Sequence, residues 1–163
     1  MARQPVVSNT SPLITLAGVG LLELLPAVYG AIWIAEVVRR EYQSKRSTGE
    51  PDLDTLDWLT VESIKPDDEL AAIQGLGQGE LATIALGKAI QARAIILDDR
   101  LGRRIAAERR LPVVGTLTVL LRAKQQGLLP AVEPVIATML AQGRRISPTL
   151  RAHALRLAGE DGS

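Results

Sequence analysis

The stretch AIILDDRLGRRIAAERR, residues 94–110, passes from an apolar run to a basic helix across a pair of acids. Ala94, Ile95, Ile96 and Leu97 are consecutive apolar residues over a strand's length, the pattern of a strand covered on both faces in a parallel sheet. Asp98 and Asp99 end the run. From Arg100 to Arg110, Leu101, Ile105 and Ala106 return at helical spacing and set an inner face against a rim of arginines. A buried strand that leads straight into a helix is half of a βαβ unit, and here it puts two carboxylates at the junction.

The same alternation extends both ways along the chain. Upstream, Pro5 to Asn9 forms a short buried strand, and Thr10-Ser11-Pro12 supplies helix-start chemistry, a hydroxyl cap with proline in the first turn. Leu13 to Ala17 and Leu21 to Val28 are apolar at helical spacing, Ala31 to Ile34 is a second strand, and Glu36 to Arg46 is an exposed helix. STGEPDLDTLD, residues 47–57, is expected to be a mobile surface loop with Asp52, Asp54 and Asp57 solvated. Leu59 to Ile64 is a peripheral strand, and Gly75 to Gly79 breaks the chain before a helix over Glu80 to Gln91. Downstream come a fifth strand, Pro112 to Val114, and helices over Leu117 to Gln126 and Pro130 to Gln142. Strands separated by helices imply a three-layer α/β/α sandwich around a mostly parallel, about five-stranded sheet. Residues 1–163 are read as one domain, with a core over 6–148 and a C-terminal tail or short helix over 149–163.

Composition excludes several chemistries. No cysteine is present, and His153 is the one histidine, so cysteine nucleophiles, Ser/His/Asp triads and zinc sites of Cys or multiple His cannot be built. Phe is absent, and Tyr29, Tyr42, Trp33 and Trp58 are the only aromatics. Modules that stack bases on aromatic platforms therefore fit poorly. No apolar run approaches the length of a membrane span and no leader pattern opens the chain, so a soluble cytoplasmic protein with no membrane partner is expected.

The net charge of +1 hides a division: residues 1–81 hold 6 Lys+Arg against 12 Asp+Glu, while residues 82–163 hold 13 against 6. Arg100, Arg103, Arg104, Arg109, Arg110, Arg122, Arg144 and Arg145 dominate the second half. If they share one surface they would attract a phosphate backbone or an acidic partner; spread around a helix they are only a solvated face. Arg100, Arg103 and Arg104, directly after the acid pair, are the expected nucleic-acid contacts.

In open α/β sheets the working crevice lies beyond the C-terminal ends of the strands. Asn9 ends the first strand, Asp98 and Asp99 end the fourth, and Glu80 opens the helix after the glycine loop. Glu41, on the helix after the second strand, is a fifth candidate. Hard divalent cations such as Mg²⁺ or Mn²⁺ take oxygen ligands, so carboxylates without His or Cys are a sufficient set. Such an ion can activate water and neutralise a phosphodiester. Each residue also has an ordinary structural role open to it: Asp98 and Asp99 as a turn or helix cap, Glu80 as a partner of the helix dipole, Glu36 and Glu41 as ion-pairing residues of an exposed helix.

Five segments in order, VSNTSPLI (7–14), IAEVVRREY (34–42), GQGELATIAL (77–86), IILDDRLGRRIA (95–106) and VVGTLTVLLRAKQQG (113–127), resemble the PIN-domain superfamily, in particular a prokaryotic branch of PIN-like proteins akin to the toxins of toxin–antitoxin pairs. The resemblance spans about residues 6–148. It implies Mg²⁺- or Mn²⁺-dependent cleavage of RNA, homodimers and a small antitoxin-like partner over the acidic crevice. By position it assigns catalysis to Glu41, Glu80, Asp98 and Asp99, metal binding to Asn9, Glu80, Asp98 and Asp99, and a supporting role to Ser11. The family's first acid is typically Asp, and Asn9 keeps an oxygen ligand while losing the charge. Ala35 stands where a proline is usual. A PIN fold with a weakened site that binds RNA or a protein without cutting is the alternative. A receiver-like phosphotransfer domain lacks a separate acceptor Asp and a lysine at convincing strand ends.

Overall fold

The computed structural model describes residues 4–161; the ends of the expected single domain, residues 1–3 and 162–163, lie outside the described residues. The chain runs β1 (Val6–Ser8), α1 (Thr10–Gly18), α2 (Leu24–Tyr29), β2 (Ile32–Ala35), α3 (Glu36–Lys45), β3 (Leu59–Glu62), α4 (Asp68–Ala71), α5 (Gln78–Ala89), β4 (Ala94–Ile96), α6 (Arg100–Glu108), β5 (Val113–Val114), α7 (Thr116–Gln125), α8 (Glu133–Ala141) and α9 (Pro148–Leu157). The five strands form one parallel sheet in the order β3-β2-β1-β4-β5. Helices cover it on both sides, which gives the expected three-layer α/β/α sandwich. Here α5 lies against β1, β2 and β4, with α3 and α6 beside it, while α2 and α1 pack with α7.

The central strands β1, β2 and β4 are short, mostly apolar runs that are buried almost throughout, as a parallel sheet covered on both faces needs no polar alternation. Val6, Val7, Ile32, Ile34, Ile95 and Ile96 are fully buried. Edge position explains β3, whose residues alternate between half-buried and exposed. Tyr42, the largest fully buried side chain, keeps its hydroxyl satisfied by donating to Pro51 O at 2.8 Å.

Two sequence expectations change. Thr10 and Ser11 do not cap α1: the helix begins at Thr10, Asn9 is the cap position, and no side chain bonds the first-turn amides. The segment 47–57 is pinned rather than merely solvated. Arg39 grips Asp54 through two bonds of 2.6 Å, Gln43 donates to Asp52 at 2.7 Å, and Leu53 is buried in a 3-10 turn. Asp57 alone of the three acids stays exposed without a partner among the described residues. Of the two forms expected for the C-terminal segment, tail or short helix, the described residues take the helix, α9. Ser147 caps α9 at 3.1 Å, α9 packs on α7, and Glu160 accepts from Lys124 Nζ (2.7 Å), Val132 N (2.8 Å) and Glu133 N (2.9 Å).

Candidate active site

From β1 the chain adds β2 and then β3 on one side, and it returns across the sheet to place β4 and β5 on the other. The direction of winding reverses between β1 and β4, and in open α/β sheets ligands bind in the crevice outside the carboxyl ends at that switch. Asn9 follows β1 and is fixed to its neighbour by donating its backbone N–H to Ile96 O at 3.0 Å. Asp98 and Asp99 follow β4 by one and two residues past Leu97. The residues expected at the strand ends therefore flank the switch.

Asn is a favoured helix cap, yet the Asn9 side chain is buried, 2% exposed, and turned away from the amides of α1. Its Oδ1 lies 3.3 Å from the Thr83 hydroxyl, which also donates to Gly79 O at 2.7 Å. Glu41 arrives from α3 and accepts from Thr10 Oγ1 at 3.1 Å. Gly79 makes this approach possible. A Cβ there would lie 2.6 Å from Glu41 Oε1 and 3.1 Å from Oε2, so the carboxylate rests against bare backbone at the start of α5. Asn9, Thr10, Glu41, Gly79 and Thr83 thus form one contiguous group drawn from β1, α1, α3 and α5. Sequence reasoning missed Thr83 and the role of Thr10; the one signal was the position of Thr83 a helical turn after Gly79 on the face of α5 that meets the sheet.

The other acids behave differently. Glu80 folds back over the turn that starts α5, close enough that a Cβ on Gly77 would meet its Oε2 at 2.7 Å. Asp99 caps α6 by accepting from Gly102 N at 2.7 Å through Oδ2. Asp98 is exposed, yet both of its oxygens serve Thr116: Oδ1 accepts from Thr116 N at 2.8 Å and Oδ2 from Thr116 Oγ1 at 2.5 Å. The capping roles open to both aspartates from sequence are therefore filled. Asp98 anchors the start of α7 to the end of β4, a tie whose sequence signal was the Gly115-Thr116 pair after β5.

Ser11 is exposed on the first turn of α1 and lines a cavity of about 480 Å³ together with Asp98, Arg100 and Arg103. Arg104 departs from expectation. It lies on the far face of α6 and pairs with Glu108 at 3.9 Å, because a one-residue step around a helix turns a side chain through about 100°. Arg144 and Arg145, from the α8–α9 connection, occupy the cavity instead.

None of Glu41, Glu80, Asp98 and Asp99 forms an ion pair among the described residues, whereas Glu36, Asp54, Glu108, Glu133 and Glu160 all do. Where such carboxylates come close without an ion-pair partner, a bound cation is favoured. The four do not, however, form a ready cage: no three Asp, Glu or His side chains among the described residues are grouped to hold a metal. Mg²⁺ commonly keeps several waters and takes only one or two carboxylates besides substrate phosphate. The oxygen donors left over, Glu41, Glu80, Asn9 Oδ1 and the remaining Asp99 oxygen, suit that mode in chemistry and number.

A 3-2-1-4-5 parallel sheet with carboxylates about its switch point matches a PIN-type α/β/α domain, a class whose members are typically nucleases and generally use divalent metals. Residues 5–160 match DUF3368, a PIN domain, and the chain belongs to that family. A solved PilT N-terminus domain protein from the hyperthermophilic archaeon Sulfolobus solfataricus P2 has the same fold, with a TM-score of 0.53 and 16% sequence identity over 71% of this chain and 90% of that one. No curated protein matches the sequence. No helix among the described residues is long and apolar enough to cross a membrane.

Proposed function

We propose that this PIN domain is an endoribonuclease that hydrolyses RNA phosphodiesters with Mg²⁺ or Mn²⁺ in the crevice over β1 and β4. The observation that carries the proposal is the set of carboxylates about the switch point, none of which has an arginine or lysine ion-pair partner among the described residues. Glu41 and Glu80, with the Asn9 carbonyl oxygen, would hold the ion. When bound, the ion would supply charge neutralisation at the phosphodiester and a more acidic water. Thr10 orients Glu41 through its hydroxyl. Asp99 is fixed by one oxygen on Gly102 N, which leaves the other to orient the attacking water and accept its proton. An antitoxin-like partner over the crevice and a homodimer belong to the same proposal, supported by the resemblance of the motifs.

The test is cleavage of single-stranded and structured RNA in Mn²⁺ by wild type, Glu41→Gln and Asp99→Asn. Asn caps a helix as well as Asp does, so Asp99→Asn keeps α6 while removing the base. Both variants are expected to lose about 10²-fold or more in rate. Equal cleavage by all three would remove these residues from the site.

A second function, RNA or protein binding without cutting, is favoured by two observations. Asn9 brings no charge, and Asp98 is occupied by Thr116 with both oxygens. Retained RNA binding by a wild-type protein that cleaves nothing in Mn²⁺ would select it.

A further inference from the structure

Four arginines, Arg100 and Arg103 from α6 with Arg144 and Arg145 from the α8–α9 connection, line the cavity of about 480 Å³ that opens beside Asp98. None of the four forms an ion pair among the described residues, although Arg104, Arg109 and Arg151 all do; Arg103 is held from one side, donating from Nη1 to Leu97 O at 3.1 Å. Arg144 Nε is buried with no hydrogen-bond partner. Guanidinium groups collected around a concave surface repel one another, and a buried unsatisfied donor costs free energy, so the arrangement favours an anion. The one carboxylate on the wall, Asp98, has both oxygens committed to Thr116. Hydroxyls of Ser11 and Thr118 add polar contacts, while Met139 and Ile146 form an apolar side. The volume lies within the roughly 300–1,000 Å³ of small-ligand sites. No aromatic side chain lines it, so bases have no stacking platform there.

We propose that this cavity is a phosphate subsite for single-stranded RNA, holding a nucleotide next to the one cut, with the backbone phosphate on the arginines and the nucleoside against the apolar wall. It rests on the ribonuclease proposal for the identity of the polyanion and deepens it by placing the strand on the β4, α6 and α8–α9 side of the crevice. Recognition here is by charge, and sequence preference is weak.

The experiment is fluorescence anisotropy of a labelled single-stranded oligoribonucleotide over a salt series in EDTA, where binding is read without cleavage. Each phosphate contact contributes about 0.7 to the slope of log K against log salt for single strands. The Arg144→Gln/Arg145→Gln variant should lose about 1.4 from that slope and Arg100→Gln about 0.7, with Arg104→Gln at the wild-type value. Thermal melts accompany each protein; because Arg100 is exposed, its variant keeps the test valid should the Arg144 change perturb folding. Wild-type slopes in Arg100→Gln and the double variant would overturn the subsite. So would an equal loss in Arg104→Gln, or tighter binding of a glutamate-rich peptide than of RNA. If the slopes change as expected while wild type cleaves no RNA in Mn²⁺, the subsite stands and the ribonuclease proposal falls.

Discussion

Gly79→Ala separates the geometry of the crevice from the stability of the fold. Gly79 sits in the first turn of α5 with an ordinary helical backbone, so alanine should favour the helix by about 1 kcal/mol. The added Cβ would fall 2.6 Å from Glu41 Oε1, and ordinary contact begins near 3.4 Å, so the carboxylate must retreat by about 0.8 Å. That movement breaks the 3.1 Å bond from Thr10 Oγ1, worth about 1 kcal/mol. The two effects nearly cancel, and urea denaturation should place the variant within about 0.5 kcal/mol of wild type. Activity has no such compensation, because a displacement of about 1 Å at a reacting centre can cost about 10²-fold. Paired assays, RNA cleavage in Mn²⁺ and Mn²⁺ titration by calorimetry, should show both functions weakened in a fully folded protein. A variant that binds Mn²⁺ and cuts RNA within a few-fold of wild type would refute the placement of Glu41 in the site.

Asn9→Asp restores an acid next to Glu41 at a buried position, and should cost about 1 to 3 kcal/mol without metal; differential scanning calorimetry should show most of that recovered in Mn²⁺, and equal melting with and without Mn²⁺ would count against a metal at Asn9. Thr116→Val removes the hydroxyl donor to Asp98 while keeping shape, and chemical denaturation should report a loss of about 1 to 2 kcal/mol. For Glu160, burial opposes ionisation, but the Lys124 bond, the Val132 and Glu133 amides and the Lys124 charge outweigh it and hold the carboxyl down at about 2. Because its acidity is increased by folding, its contribution is complete above the ordinary value of 4.5 and fades as pH falls toward 2. After allowance for solvent screening, Glu160→Gln should cost about 1 to 2 kcal/mol at pH 7. The gap from wild type should close between pH 4.5 and 2 in guanidinium melts, and a gap independent of pH would exclude the ion pair as its source.

Much of the fold was legible because its signals are local. The apolar runs at Val6, Ile32 and Ala94 are long enough for a strand and too short for a helix, and the glycines and acids that bound them mark the ends. The short α4 was missed, since four residues carry no periodicity; what holds it is Asp67 capping Leu70 N and the burial of Leu70. In the site, positions at strand ends could be named from the sheet rule alone, which is how Asn9, Asp98 and Asp99 were found. Side-chain direction could not. Whether Asp98 faces the crevice or Thr116 depends on a residue 18 positions away, and no periodicity in either segment records the pairing. Likewise Arg103 and Arg104 are equivalent in sequence, and only the packing of α6 decides which one meets the cavity.

The single return of the chain across the sheet also fixes when the crevice comes into being. Asn9 meets a hydroxyl 74 residues further on, and its backbone is held by Ile96 of β4. A chain that has left the ribosome only through β3 already carries Glu41 but has neither Thr83 nor the strand that positions Asn9. Closing so long a loop is among the slower steps of folding. During synthesis the growing chain is therefore without its assembled crevice until β4 is inserted, and the chemistry proposed for it has to wait for that step.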